Sequence, residues 1–149
     1  MKALSIDPEY CAYIAEGTKT VECRTWKTNY RGELLICASK KPMEGFISGY
    51  AYSTVELVDI VPFTEEHLEA AKMEAMPGVP CYAWILETPY PIYPIKVRGK
   101  MGLFDVDDDL IKYVDDDMPE NASDEELDRL ADEYWAKYLQ PITYLPDQR

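Results

Sequence analysis

Lys19, Glu22, Arg24 and Trp26 fall within one short run, Gly17-Thr18-Lys19-Thr20-Val21-Glu22-Cys23-Arg24-Thr25-Trp26, which leads on to Tyr30-Arg31-Gly32. In an extended strand side chains alternate between faces, so Val21 and Cys23 turn to the core while Thr20, Glu22, Arg24 and Trp26 share the other face. A glutamate and an arginine two residues apart on one face sit close enough to pair and orient each other. A guanidinium can grip phosphate with two parallel N–H bonds, and Lys19 supplies a second cation. Trp26 offers a flat surface on which a base stacks for roughly 1–3 kcal/mol. A plainer reading stands beside this one: a sheet salt bridge, a packed aromatic and a solvated lysine. The candidate ligand-binding set is therefore Lys19, Glu22, Arg24, Trp26 and Arg31. Lys19 is also the candidate catalytic residue, since a desolvated lysine can serve as a general base.

These residues need elements to hold them. Lys2–Ile6 reads as a first strand, and Asp7 followed by Pro8 is a helix start. The helix runs to about residue 16, where Gly17 suits the residue just past its end. A strand over 19–24 follows, then a nearly all-apolar buried strand over 33–38. A loop rich in lysine and glycine leads to a long, bent strand over 48–60. Thr64 caps a helix to about residue 73, and Met76-Pro77-Gly78-Val79-Pro80 breaks it. Residues 82–87 form a strand, the proline-punctuated 89–98 an edge strand, and 103–106 a last short one. Ser123 with Glu126 makes a capping box. From there Leu127, Leu130, Tyr134, Trp135 and Tyr138 share one helical face through about residue 139. That face docks on the rest of the chain, or else binds a protein partner or a second copy.

The sum is an α+β fold, a small β-barrel decorated by helices. Two regions are expected: the barrel over 1–106 and an acidic helical extension over 107–149 packed on it.

Composition narrows the function. At 149 residues, 47% hydrophobic and 29% charged, the chain suits a single domain with a proper core. No apolar run approaches the roughly 20 residues that span a bilayer. The N-terminus meets charge and a turn too early for a signal peptide, so a cytoplasmic protein with no membrane partner is expected. Net charge is −13, unevenly spread: residues 104–149 hold 15 acidic and 4 basic residues, residues 1–103 hold 13 and 11. A pI near 4.4 argues against unspecific binding of long nucleic acid but leaves room for a local pocket. Cysteines at 11, 23, 37 and 81 match no zinc spacing and read as buried, reduced thiols. With His67 the only histidine, neither a metal site nor a cofactor is called for.

Gly17-x-Lys19-x-x-Glu22-x-Arg24 resembles the G-x-K-x-x-E-x-R motif of ASCH domains, and Arg24-x-Trp26 followed by Arg31-Gly32 continues the likeness. Tyr82-Ala83-Trp84, Pro94-Ile95-Lys96 and Gly99-Lys100 resemble the later strands, so residues 2–106 are covered and the acidic tail is not. The resemblance implies a PUA-like barrel with a cleft between barrel and first helix, suited to RNA or a nucleotide, single-stranded or mononucleotide. It also implies two enzymatic alternatives, and leaves turnover open. One is an acetylcytidine-type amidohydrolase acting on a modified nucleoside; the other is a ribonuclease. In the amidohydrolase branch a threonine nucleophile stands three residues after the lysine, and here that position is Glu22. Glu69 or Glu74 would have to stand in for its distant glutamate. A third alternative is a protein-interaction module in which the acidic tail meets a basic partner or covers the cleft.

Overall fold

The computed structural model describes residues 1–146. Strand β1 (Lys2–Ile6) runs into helix α1 (Pro8–Glu16) through Asp7, with Pro8 at the first helical position. Gly17 takes a left-handed conformation, φ 83°, and its N–H closes on the Ile14 carbonyl. A side chain at that angle is strained, which is why glycine ends the helix there. Thr18 and Lys19 still donate their N–H groups to Tyr13, so the strand expected from residue 19 begins only at Val21.

Strands β2 (Val21–Arg24), β3 (Gly32–Ala38), β4 (Tyr50–Pro62), β5 (Tyr82–Lys96) and β6 (Phe104–Asp105) join β1 in one sheet of order β2-β5-β4-β3-β1-β6. β1 lies parallel to β3 and every other neighbour is antiparallel. Helix α2 (Leu68–Ala71), entered through a tight turn at Glu65–His67, is shorter than the residue pattern suggested. Helix α3 (Asp124–Tyr134) starts at Ser123, whose Oγ accepts the Glu126 N–H as the capping box requires.

The expected closed barrel is not there: the sheet is open, with β2 and β6 at its edges. The reason lies at β1. One side of that strand is taken by β3, and β6 occupies the other at Lys2 and Ala3, where a closing β2 would have to pair. A side chain spans the remaining gap instead, since Arg24 Nη2 donates to the Ser5 carbonyl at 2.8 Å.

Both faces of the sheet are covered, so β3 is apolar almost throughout. Leu34 and Ile36 face α1 with Leu4, Ile6, Cys11, Ile14, Tyr52 and Trp84. Leu35 and Cys37 face the opposite way, with Ala3, Ile92, Phe104 and Ile111. Val21 and Cys23 do face apolar surroundings, a third cluster with Phe63, Ala71 and Ala83. The segment beyond residue 106 enters the core through Ile111 and Val114, both buried. β5 is one continuous strand where a strand and a separate edge strand were expected. Its prolines fall in its second half, while β2 pairs only with Tyr82–Ile85, so no donor is missed on that side.

Tyr134 donates its hydroxyl to the Ile92 carbonyl, and Tyr93, Tyr134 and Tyr138 pack ring to ring. Trp135, expected on the docking face, is 47% exposed. The α3 region thus meets β5 through its tyrosines rather than its whole stripe.

Candidate functional site

Lys19 is the most unusual residue of the cleft, because its amine is almost wholly buried, 2% exposed. It donates to Val21 O at 2.7 Å and to Ala71 O at 2.6 Å, and lies 3.4 Å from Glu22 Oε1. Two of its three donors are thus bonded to backbone carbonyls, and the ammonium is ion-paired with Glu22. The Tyr10 ring lies 4.5 Å away. Burial lowers the Lys19 pKa, and Glu22 opposes the shift. Lys19 therefore ties the end of α2 to the start of β2 and holds Glu22 in place.

Glu22 uses its other oxygen on Arg24, with Nε to Oε2 at 2.8 Å. Arg24 in turn reaches Ser5 through Nη2, and its Nη1 has no partner among the described residues. The three side chains form one chain of contacts, Lys19 to Glu22 to Arg24, that ends in a guanidinium with free donors. A buried carboxylate gripped from both sides fixes that guanidinium against rotation.

Arg24 stands between two cavities. The motif cavity, about 470 Å³, is lined by Asp7, Tyr10, Lys19, Glu22, Thr25 and Cys81 among others. The basic cavity, about 540 Å³, is lined by Trp26, Lys40, Arg98, Gly99 and Lys100 among others. Both share Ser5, Arg24 and Ser39. Ser39 Oγ, in that common wall, is buried without a hydrogen-bond partner in the described structure. In the motif cavity Tyr10 has its pKa raised, by burial first and then by Glu9, Glu22 and Asp7.

Trp26 is half-buried and packs edge-on against Trp84 at 4.8 Å, while its backbone carbonyl accepts the Trp84 indole N–H. It lines the basic cavity, not the motif cavity. Arg31 lines neither. It folds back on the Thr28 and Tyr30 carbonyls and lies 3.9 Å from Asp59. The structure thus brings Lys19, Glu22, Arg24 and Trp26 together and leaves Arg31 apart. Glu69 and Glu74 are exposed and line neither cavity, so no lysine–glutamate constellation of the amidohydrolase kind is assembled from them.

The cavities also take in Ser5, Tyr10, Ser39, Lys40, Arg98 and Lys100, none of which the motif singles out as a site residue. Strand and helix patterns place Ser5 on the first strand and Tyr10 on the apolar face of the first helix, with no sign of a ligand. The one signal for the distal loop is glycine spacing around Lys100. A Cβ built on Gly99 would lie 2.6 Å from Ser5 Oγ, so any larger residue would have to displace Ser5 or the loop.

Cys23 on β2 and Cys81, just before β5, also line the motif cavity. Burial, and then the hydrogen bond and charge it shares with Cys81, push the Cys23 thiol up to about 11. Alkylation requires the thiolate. Modification of Cys23 by iodoacetamide should therefore be slow near neutral pH and rise roughly tenfold per pH unit toward that value. Peptide mass spectrometry over a pH series reads this directly, and fast labelling near pH 7 would contradict it.

A profile of the ASCH domain matches residues 4–101, well over half of the chain, and the protein belongs to that family. The family is PUA-like and has been suggested to bind RNA. Among solved structures, the chain is similar to ASCH from Zymomonas mobilis at 19% identity and a TM-score of 0.57, covering 72% of this chain and 88% of that one. A serine-to-alanine variant of the Zymomonas mobilis protein aligns over 89% of this chain and 94% of its own, at 17% identity and a TM-score of 0.54. At such identities the likeness speaks for the fold alone. No functionally curated protein matches the chain.

Proposed function

We propose that this chain binds RNA or a nucleotide in the cleft where β1 and β2 face each other without pairing. The observation that carries this is Arg24: it sits in the wall between two cavities, oriented by a buried carboxylate, with donors to spare. A guanidinium fixed in this way suits a phosphate or a base edge that crosses from one cavity to the other. Trp26 presents its ring at the basic side, and Tyr10 and Glu22 offer a ring and an acceptor at the other. Lys19 shapes the cleft rather than meeting the ligand, since its buried ammonium is held by two backbone carbonyls and Glu22.

Arg24→Ala should weaken binding of a short single-stranded RNA by about 10- to 100-fold, the range for losing hydrogen bonds to a charged group. Fluorescence anisotropy at low ionic strength measures it, with thermal unfolding to show that the variant folds. Binding should fall with salt, with a slope of about −0.7 for each phosphate contacted. Wild-type protein without measurable RNA or nucleotide affinity at low salt would sink the proposal.

A further inference from the structure

The two cavities differ in charge. The motif cavity balances Lys19 and Arg24 against Asp7 and Glu22. The basic cavity has Arg24, Lys40, Arg98 and Lys100 in its lining and no carboxylate at all. In a chain with 28 acidic residues and net charge −13, that is an unusual place to be free of them. Lys2, Arg31 and Arg129 each reach a carboxylate, while Lys41, Lys96 and Lys112 stand without one among the described residues but do not line this cavity. Lys40, Arg98 and Lys100 have neither an ion pair nor a side-chain hydrogen bond among the described residues. A single unpaired lysine on a surface is ordinary. Arg24 is already paired with Glu22, but three further cations without a carboxylate partner converge beside it on one concavity, and their mutual repulsion is relieved by an anion.

Two further observations point the same way. Ser39 Oγ is a buried hydroxyl in the wall of this cavity with no partner of its own, so it has a donor for a ligand oxygen. Gly99 lies so close to Ser5 that a Cβ there would collide with it, so glycine lets the loop carrying Arg98 and Lys100 approach β1, beside Arg24.

We infer that the basic cavity holds a phosphate group of the ligand, so that the chain recognises phosphorylated nucleotides or RNA rather than free nucleosides. The inference rests on reading the neighbouring cleft as a nucleoside-binding site. It adds what that reading lacks, a place for the phosphate and residues outside the family motif that bind it. A neutral nucleoside gains little from four cations, whereas a phosphate gains charge-assisted bonds, two of them from arginine forks. The cavity is larger than one phosphate, so a terminal monoester and an internal diester are both accommodated.

The test is calorimetric titration of the full chain with the four ribonucleosides, their 5′-monophosphates and short RNAs carrying a 5′-hydroxyl. At low salt at least one monophosphate should bind about tenfold or more tighter than its nucleoside. The variant Arg98→Gln/Lys100→Gln should bring that monophosphate down to the affinity of the nucleoside while leaving the nucleoside unchanged. The variant Lys96→Gln/Lys137→Gln, which removes the same charge outside the cavity, should keep the difference. An equal gain for the 5′-hydroxyl RNA assigns the cavity to an internal diester, and a gain confined to the monophosphates assigns it to a terminal one. Nucleosides and monophosphates that bind equally well would overturn the inference and leave the nucleoside site standing. A preference for monophosphates that survives Arg98→Gln/Lys100→Gln would overturn it too. An absence of binding by every probe would remove both.

Discussion

Glu22→Ala should destabilise the protein by about 3–5 kcal/mol, the usual cost of leaving one member of a buried ion pair alone. Lys19, 2% exposed, would lose the one carboxylate it pairs with among the described residues, and Arg24 would lose the carboxylate that orients it. The two backbone carbonyls on Lys19 soften the loss without neutralising the ammonium. Glu22→Gln keeps an acceptor and should cost less, about 1–2 kcal/mol. The pH dependence gives the sign. The Lys19 pKa is already lowered by burial, and without Glu22 it falls further. The folded variant then carries fewer protons than its unfolded chain at alkaline pH, so its stability rises with pH relative to wild type. The gap between variant and wild type should shrink as pH moves from neutral toward the ordinary lysine range, about 10. Urea midpoints at several pH values, at unchanged m, measure all of this. In the Lys19→Met background Glu22→Ala should cost less than it does alone, since the charge it strands is gone.

Trp84→Ala is the second large expected loss, again about 3–5 kcal/mol. The indole is fully buried at the centre of the α1-side core, and it both stacks edge-on with Trp26 and donates to the Trp26 carbonyl. Trp84→Phe separates the two roles. It keeps a ring in the core but loses the N–H that anchors the chain after β2, so it should weaken ligand binding more than its modest cost in stability implies. Thermal unfolding and RNA binding measured on the same preparations test this. Trp84→Phe binding as tightly as wild type would show that Trp26 needs no such anchor.

The elements around the cleft were legible where local chemistry dictates them. Asp7-Pro8 and Gly17 bracket α1 because one presets the helical φ and the other accepts a left-handed one. The apolar run after Gly32 reads as a strand because it is buried on both faces. Glu22 and Arg24 share a face and pair, as strand parity requires. What was not legible depends on distant partners. Nothing near Lys19 in sequence says that its amine meets Ala71, 52 residues away, and so a cation read as facing a ligand turns out to face the protein. Barrel closure depends on what occupies the free side of β1, and β6 is too short to weigh as a competitor on pattern alone. Arg31 looked like part of the motif, but its guanidinium turns back on the Thr28 and Tyr30 carbonyls and toward Asp59 on β4. Arg98 and Lys100 join the site where Gly99 passes Ser5 so closely that an added Cβ would lie 2.6 Å from Ser5 Oγ, a fit that no periodicity reveals.

The central claim is that a nucleotide lies across Arg24, between the two cavities. A crystal structure of the protein saturated with the ribonucleotide that binds best in solution tests it most directly. The account predicts density on both sides of the guanidinium, with phosphate oxygens within hydrogen-bond distance of Arg24 and of Arg98 or Lys100, and the nucleoside toward Tyr10 and Glu22. A nucleotide bound elsewhere on the surface, with the β1–β2 cleft empty, would contradict it.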